Sequence, residues 1–303
     1  MPNGNGKKAV AKKANAAAPM LANLEQFAGA GAENITSKDV SLPFLKILTN
    51  NSPQVTQGDA KFIGSARPGM VINSVLNKLY NGADGFKVVP CFFKFEYVEW
   101  ADRGTKDSLA PVNSYPADSD IMTKTKRGDD RKDRLPNGNY IEPTHYHYVL
   151  IVDANDQPSE TAVIVMKATQ AKKSKKWNSM MLSQRRKGAK GFFQPPTWSQ
   201  IYTLTTVLEK NNLGSWYGWE INHAKDIPND TLLNAAQAFY QTCKKGNANV
   251  NLTEDQQEGS YLNMTKHSKT VSQYYKDIID TLTKNNKNKL ELNNRSNEFT
   301  EFF

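Results

Sequence analysis

The sequence predicts an α+β fold: a curved antiparallel sheet, or an OB-like partly open barrel, with one inserted and one C-terminal helix between disordered termini. Three observations predict it. Runs of β-branched and aromatic residues come in pairs separated by short polar turns, as hairpins do. One helix pattern follows a central strand and another follows the last hairpin. The two ends of the 303-residue chain are dominated by Gly, Asn, Ala and Lys, a composition that cannot bury enough apolar surface to stay ordered.

Taken in order, residues 1–20 read as a disordered basic arm and 21–27 as a short helix, at the start of a single core domain over 21–246. The apolar run SLPFLKILTNNSPQV (41–55) stops at Asn50, Asn51 and Pro53. GMVINSV (69–75) has β composition, a turn falls at Asn81 and Gly82, and GFKVVPCFFKFEYVEW (85–100) reads as a long strand. In that strand Val89, Cys91, Phe93, Phe95 and Tyr97 share one face by alternation, yet Phe92 occupies the other. The strand is therefore covered on both faces or strongly curved. Residues 101–140 read as a long exposed loop, and the charges of its KTKRGDDRKDR stretch (124–134) nearly cancel.

THYHYVLIVD (144–153) and TAVIVMKAT (161–169) form a hairpin across a turn at 154–158. Residues 171–186 read as a helix with Lys173, Trp177, Met180, Met181 and Gln184 on one face, so that Trp177 and the methionines dock on the sheet. The stretches 199–210 and 215–223 make a second hairpin. A helix over 229–245 follows, with Leu232, Leu233, Ala236, Phe239 and Tyr240 as its buried stripe. Residues 247–287 read as a linker with a possible helix over 268–284, where Val271, Tyr274, Tyr275 and Ile278 repeat at helical spacing. Residues 288–303 read as a flexible acidic and aromatic tail.

Charge is the most informative feature. The net charge is +9, and the 48 residues from 161 to 208 hold nine Lys or Arg and no Asp or Glu, while the remainder of the chain is nearly neutral. These cations are Lys167, Lys172, Lys173, Lys175, Lys176, Arg185, Arg186, Lys187 and Lys190, interleaved with Trp177, Phe192, Phe193 and Trp198. Ammonium and guanidinium groups neutralise phosphates and flat rings stack on unpaired bases, so all thirteen are candidate contacts to a single-stranded nucleic acid. Gly188 and Gly191 flank the second cluster and let the backbone approach a strand closely. The plain alternative is a solvated basic helix beside ordinary core aromatics.

The segment SNEFTEFF (296–303) places Glu298 and Glu301 among Phe299, Phe302 and Phe303. Exposed phenylalanines are unfavourable in water without a binding surface. These five residues are candidates for docking a partner protein. The competing reading is a tail folded onto its own core.

Other chemistries lack their residues. His145 and His147 flank Tyr146 as a metal pair would, but polar alternation on a half-exposed strand explains them, and no metal is expected. Glu96 and Glu99 differ in strand parity and form no acid–base couple. The sequence has no phosphate-cradling GxxxxGK[ST], no GxGxxG and no GxSxG, so no catalytic residue and no cofactor are expected. Cys91 and Cys243 are expected to be reduced and buried. No secretory leader or membrane-spanning run is apparent, which points to the cytoplasm, of a cell or of an infected host cell, and to no membrane partner.

The run SLPFLKILTNNSPQV, the stretch GMVINSV…GFKVVPCFFKFEYVEW, the block ATQAKKSKKWNSMM, and PPTWSQIYTLTTVLEKNNLGSWYGWEI together resemble a family of tailed-phage single-stranded DNA-binding proteins, over about residues 41–223. The resemblance implies a role in phage DNA replication or recombination, an OB-like core, and phage replication proteins such as a polymerase, helicase or primase as partners of the tail residues Glu298, Phe299, Glu301, Phe302 and Phe303. A strand-annealing or recombination-mediator protein is the nearest alternative. A metal-dependent nuclease is the alternative of another class and requires clustered carboxylates, which the sequence does not offer. A virion or transcription-associated protein that tolerates nucleic acid is a third.

Overall fold

A computed structural model describes residues 42–102, 110–211 and 214–246, with short pieces at 27, 30–34, 248, 251–252 and 260–261. The expected basic arm, most of the helix expected over 21–27, the possible helix over 268–284 and the acidic, aromatic tail lie outside the described residues.

In chain order the elements are β1 (Leu45–Ile47), β2 (Val71–Asn73), β3 (Leu79–Tyr80), β4 (Phe86–Trp100), β5 (Asn113–Pro116), β6 (Lys126–Arg127), β7 (Asp133–Arg134), β8 (Tyr140–Val152), β9 (Pro158–Lys167), α1 (Ala171–Leu182), β10 (Arg186–Gly188), β11 (Gly191–Phe193), β12 (Gln200–Asn211), β13 (Gly214–Asp226) and α2 (Asp230–Lys244). The first three strands form a small antiparallel sheet. The main sheet runs β13-β12-β4-β8, with β9 and β7 both pairing β8, β6 beyond β7, and β5 on the far end of β4. All of its ladders are antiparallel. The architecture is α+β, with a sheet curled into a half-barrel. Curling brings its outer strands together: Gln170, just past β9, accepts the backbone N–H of Trp219 on β13 at 2.9 Å.

The sheet is covered on both faces, which explains the near-continuous apolar runs of β8 and β9. On one face Tyr146, Tyr148, Leu150, Val152 and Val163 pack with Leu232, Ala236, Phe239 and Cys243 of α2. On the other Val149, Ile151, Ala162, Ile164 and Met166 pack with Trp177 and Met181 of α1, together with Leu45 and Val71 of the small sheet. Free Cys91 and Cys243 are buried in the first of these cores, and burial pushes both thiols up, away from the thiolate a nucleophile requires.

Three expectations are corrected. The single face assigned to β4 is split by a bulge between Pro90 and Phe92. Val89 and Cys91 face α2, whereas Phe93 and Phe95 lie against His145 on the opposite face; one extra residue reverses the alternation beyond it. Residues 110–140 are not an open loop. They carry β5 to β7, and Arg127–Asp133, Arg134–Asp102, Arg134–Asp130 and Lys132–Asp102 pairs take up five of the nine charged groups in 124–134. Finally, His145 and His147 are not half-exposed, being only 5% and 1% accessible.

The two helices begin differently. Asn229 caps α2, its side chain accepting the N–H of Leu232 at 2.8 Å, with Asp230 in the first turn and Lys244 in the last. Every one of these choices suits the helix dipole. α1 has no acid in its first turn and no side-chain cap, the amide oxygen of Gln170 at its N-cap accepting from β13 instead. The chain enters α1 through Ala168, whose φ of +47° is left-handed and strained for a residue with a Cβ.

Candidate nucleic-acid interface

α1 is anchored by three neighbouring residues on its inner face. Ser174, Trp177 and Met181 are buried at i, i+3 and i+7. Trp177 is fully enclosed, stacked on His147 with ring centroids 4.4 Å apart and edge-on to Tyr202. Ser174 Oγ lies 2.8 Å from His147 Nε2. Burial holds His147 down to about 3, with His145 adding a smaller effect in the same direction, so its ring is neutral at physiological pH. His145 is lowered too, mainly by burial, while its Nδ1–H donates to the Met166 carbonyl at 3.1 Å. Both histidines thus serve the core, and no group of metal-binding side chains occurs among the described residues.

With Trp177 inward, Lys172, Lys175 and Lys176 fall at i, i+3 and i+4 on the outer face, all exposed. None has an ion-pair partner among the described residues. Like charges at this spacing repel, and Lys172 lies in the first turn, where the helix dipole is already positive. The arrangement is costly for a helix in water and favourable for one that meets phosphates.

Past α1 the chain makes a hairpin of β10 and β11 with the two-residue turn Ala189–Lys190. Gly188 and Gly191 face each other at its end, with Gly191 at φ +112°. Glycine on both sides of the turn was the available signal. Arg185, Lys187 and Lys190 are exposed, as are Phe192 and Phe193 at 78% and 49%. Arg185 caps the end of α1, donating to the carbonyls of Leu182 and Gln184 at 2.8 and 2.9 Å.

Five of the thirteen candidates are placed elsewhere or already partnered. Lys167 pairs with Glu142 at 2.6 Å and lines a cleft of about 220 Å³ with Lys46, Gln170, Tyr217 and Trp219. Lys173 reaches Glu209 at 2.6 Å. Arg186 clasps both carboxylate oxygens of Asp226 on β13. Trp177 is core, and its ring faces are unavailable to a base. Trp198 is half-buried, 6.1 Å from Tyr240 on the α2 side of the sheet. Glu142, Glu209 and Asp226 are distant in sequence from the lysines and arginine they neutralise, so a one-dimensional charge count could not anticipate them.

The exposed remainder is Lys172, Lys175, Lys176, Arg185, Lys187, Lys190, Phe192 and Phe193, drawn from two consecutive elements with no acid between them. A family model described as Pam3 phage gp34-like protein matches residues 11–249. The chain belongs to this phage family. The match spans the whole main sheet, both helices and the hairpin, so the basic surface lies within the region that defines Pam3 phage gp34-like proteins. No curated protein and no solved structure matches the chain. Among the described residues no helix of this phage protein is long and apolar enough to cross a membrane.

Proposed function

We propose that this phage protein binds single-stranded DNA without reading its sequence and acts in phage DNA replication or recombination. The observation that supports this reading best is the set of six exposed Lys and Arg side chains, on α1, the β10–β11 hairpin and the link between them, without ion-pair partners among the described residues. A polyanion relieves their mutual repulsion and releases its own counterions in doing so. Phe192 and Phe193 beside them offer ring faces, which every base can stack on, so contact through phosphates and π-faces is sequence-tolerant. The reading requires no catalytic group or cofactor. Glu298, Phe299, Glu301, Phe302 and Phe303 would supply a separate contact for phage replication proteins, because phenylalanines among acids suit a protein surface better than a phosphate backbone.

A titration of labelled single-stranded and duplex oligonucleotides at several salt concentrations tests the proposal. Six phosphate contacts predict a slope of log K against log[salt] near −4 for single strands, at about −0.7 per contact. A slope near zero, or tighter binding to blunt duplex, contradicts it.

A further inference from the structure

We infer that the β10–β11 hairpin is a separation pin: at a junction between single- and double-stranded DNA it enters between the parting strands and holds the first base pairs open. The inference rests on the single-strand-binding reading and adds a substrate geometry and an activity to it.

The cross-strand register carries the argument. Lys187 stands opposite Phe192, and Arg186 opposite Phe193. Directly opposed residues of an antiparallel pair project from the same face, and successive residues from opposite faces. Each face of this ribbon therefore bears one phenylalanine beside one cation. Phe192 is the most exposed large apolar side chain among the described residues, at 78%. The ring of Phe193 lies across Gly188, where a Cβ would come within 3.3 Å of it. At the base of the ribbon, Arg186 fastens β10 to Asp226 at the end of β13, which ties a short hairpin to the main sheet.

A surface that merely followed one strand would need rings on one face only. Rings on both faces offer a stacking partner to each of two bases that have lost each other. With side chains on both faces the ribbon is roughly 10 Å thick. It is too thick to slide between stacked base pairs and suited to the gap where two strands diverge. The major groove also admits a two-stranded ribbon, but reading base edges there uses fork-shaped or amide side chains. The ribbon's one fork-shaped side chain, Arg186, is already held by Asp226, and residues 187–193 are Lys, Gly, Ala, Lys, Gly, Phe and Phe, with no amide. Opening a pair at a junction costs about what a base–aromatic stack returns, so binding alone suffices and no nucleotide hydrolysis is needed.

The test places 2-aminopurine at the first paired position of a tailed duplex, at an interior paired position, and in a single strand, and adds the full chain to saturation so that affinity does not enter. The expected result is a several-fold rise in fluorescence at the junction, none at the interior position, and loss of the junction signal in F192A/F193A, also at saturation. Saturable single-strand binding with the junction at its free-duplex level overturns the pin and leaves the binding function standing. A junction signal that survives in F192A/F193A overturns the hairpin's role. Equal affinity for blunt and tailed duplex would make the ribbon a groove reader, and binding to no form overturns both readings.

Discussion

The two helices of this protein cover opposite faces of one sheet and are built on opposite principles. α2 has an asparagine cap, an acid in its first turn, a lysine in its last, and five buried residues from Leu232 to Cys243. α1 has no side-chain cap, no acid, three exposed lysines at one helical face, and three buried residues of which one is a tryptophan. α2 is stabilised throughout its length, whereas α1 is held chiefly through Trp177 and its neighbours and keeps its outer face for charge. Where local rules are broken this consistently, the breaks mark function more often than poor folding.

The sharpest way to break this comparison is to remove the anchor. Trp177→Ala should cost about 3–5 kcal/mol, the range for deleting a buried large aromatic, measured by denaturant unfolding. If α1 is as self-sufficient as α2, the loss will be far smaller than for Phe239→Ala, and the contrast between the helices disappears.

Acid should separate the helices next. His147 is held at about 3 in the native protein and has an ordinary value of about 6.5 when unfolded. The unfolded chain therefore binds the extra proton between those limits. Stability is flat above pH 6.5, falls as pH drops below it, and stops responding to this group below about 3. At pH 5 the loss is about 2 kcal/mol for one group shifted this far. The carboxylates of Glu99 and Asp102, held low by hydrogen bonds from Asn139 and Arg134 among others, act only at lower pH, as they begin to protonate. Hydrogen exchange at pH 7.5 and 5 should show α1, bonded to His147 through Ser174, opening before α2. Simultaneous opening would show that the histidine does not govern α1.

Smaller effects sharpen the same contrast. Asn229→Ala should cost about 1 kcal/mol through loss of the α2 cap, measured by thermal melting. Gln170→Ala removes no cap from α1 but frees the Trp219 amide, so its effect should appear as faster exchange at β13.

Much of this organisation is legible in the sequence. The β8–β9 and β12–β13 hairpins and both helices follow from periodicity, because each presents a strong repeat between turn residues. The bulge at Cys91 does not, since a one-residue insertion leaves no compositional trace and silently reverses every later position of β4. The burial of His145 and His147 is equally hidden: alternation says which face they occupy, and only the position of Trp177 over that face shows that the face is closed. In the basic segment the sequence shows the charge but not its pairing. Helical spacing sets Lys173 on the face of Trp177 and Lys175 off it, but nothing local says that Lys173 meets Glu209 there while Lys175 stays in solvent.

The most direct test of the account compares K172A/K175A/K176A with the wild-type chain in two measurements, the salt dependence of single-strand binding and the melting temperature without DNA. If the outer face of α1 keeps its charge for phosphates, the slope should flatten by about two units, from near −4 to near −2. The melting temperature at low salt should hold or rise slightly as repulsion is relieved. An unchanged slope would move the binding surface elsewhere, most directly to residues 124–134, and a lowered melting temperature would show that these lysines stabilise the fold after all.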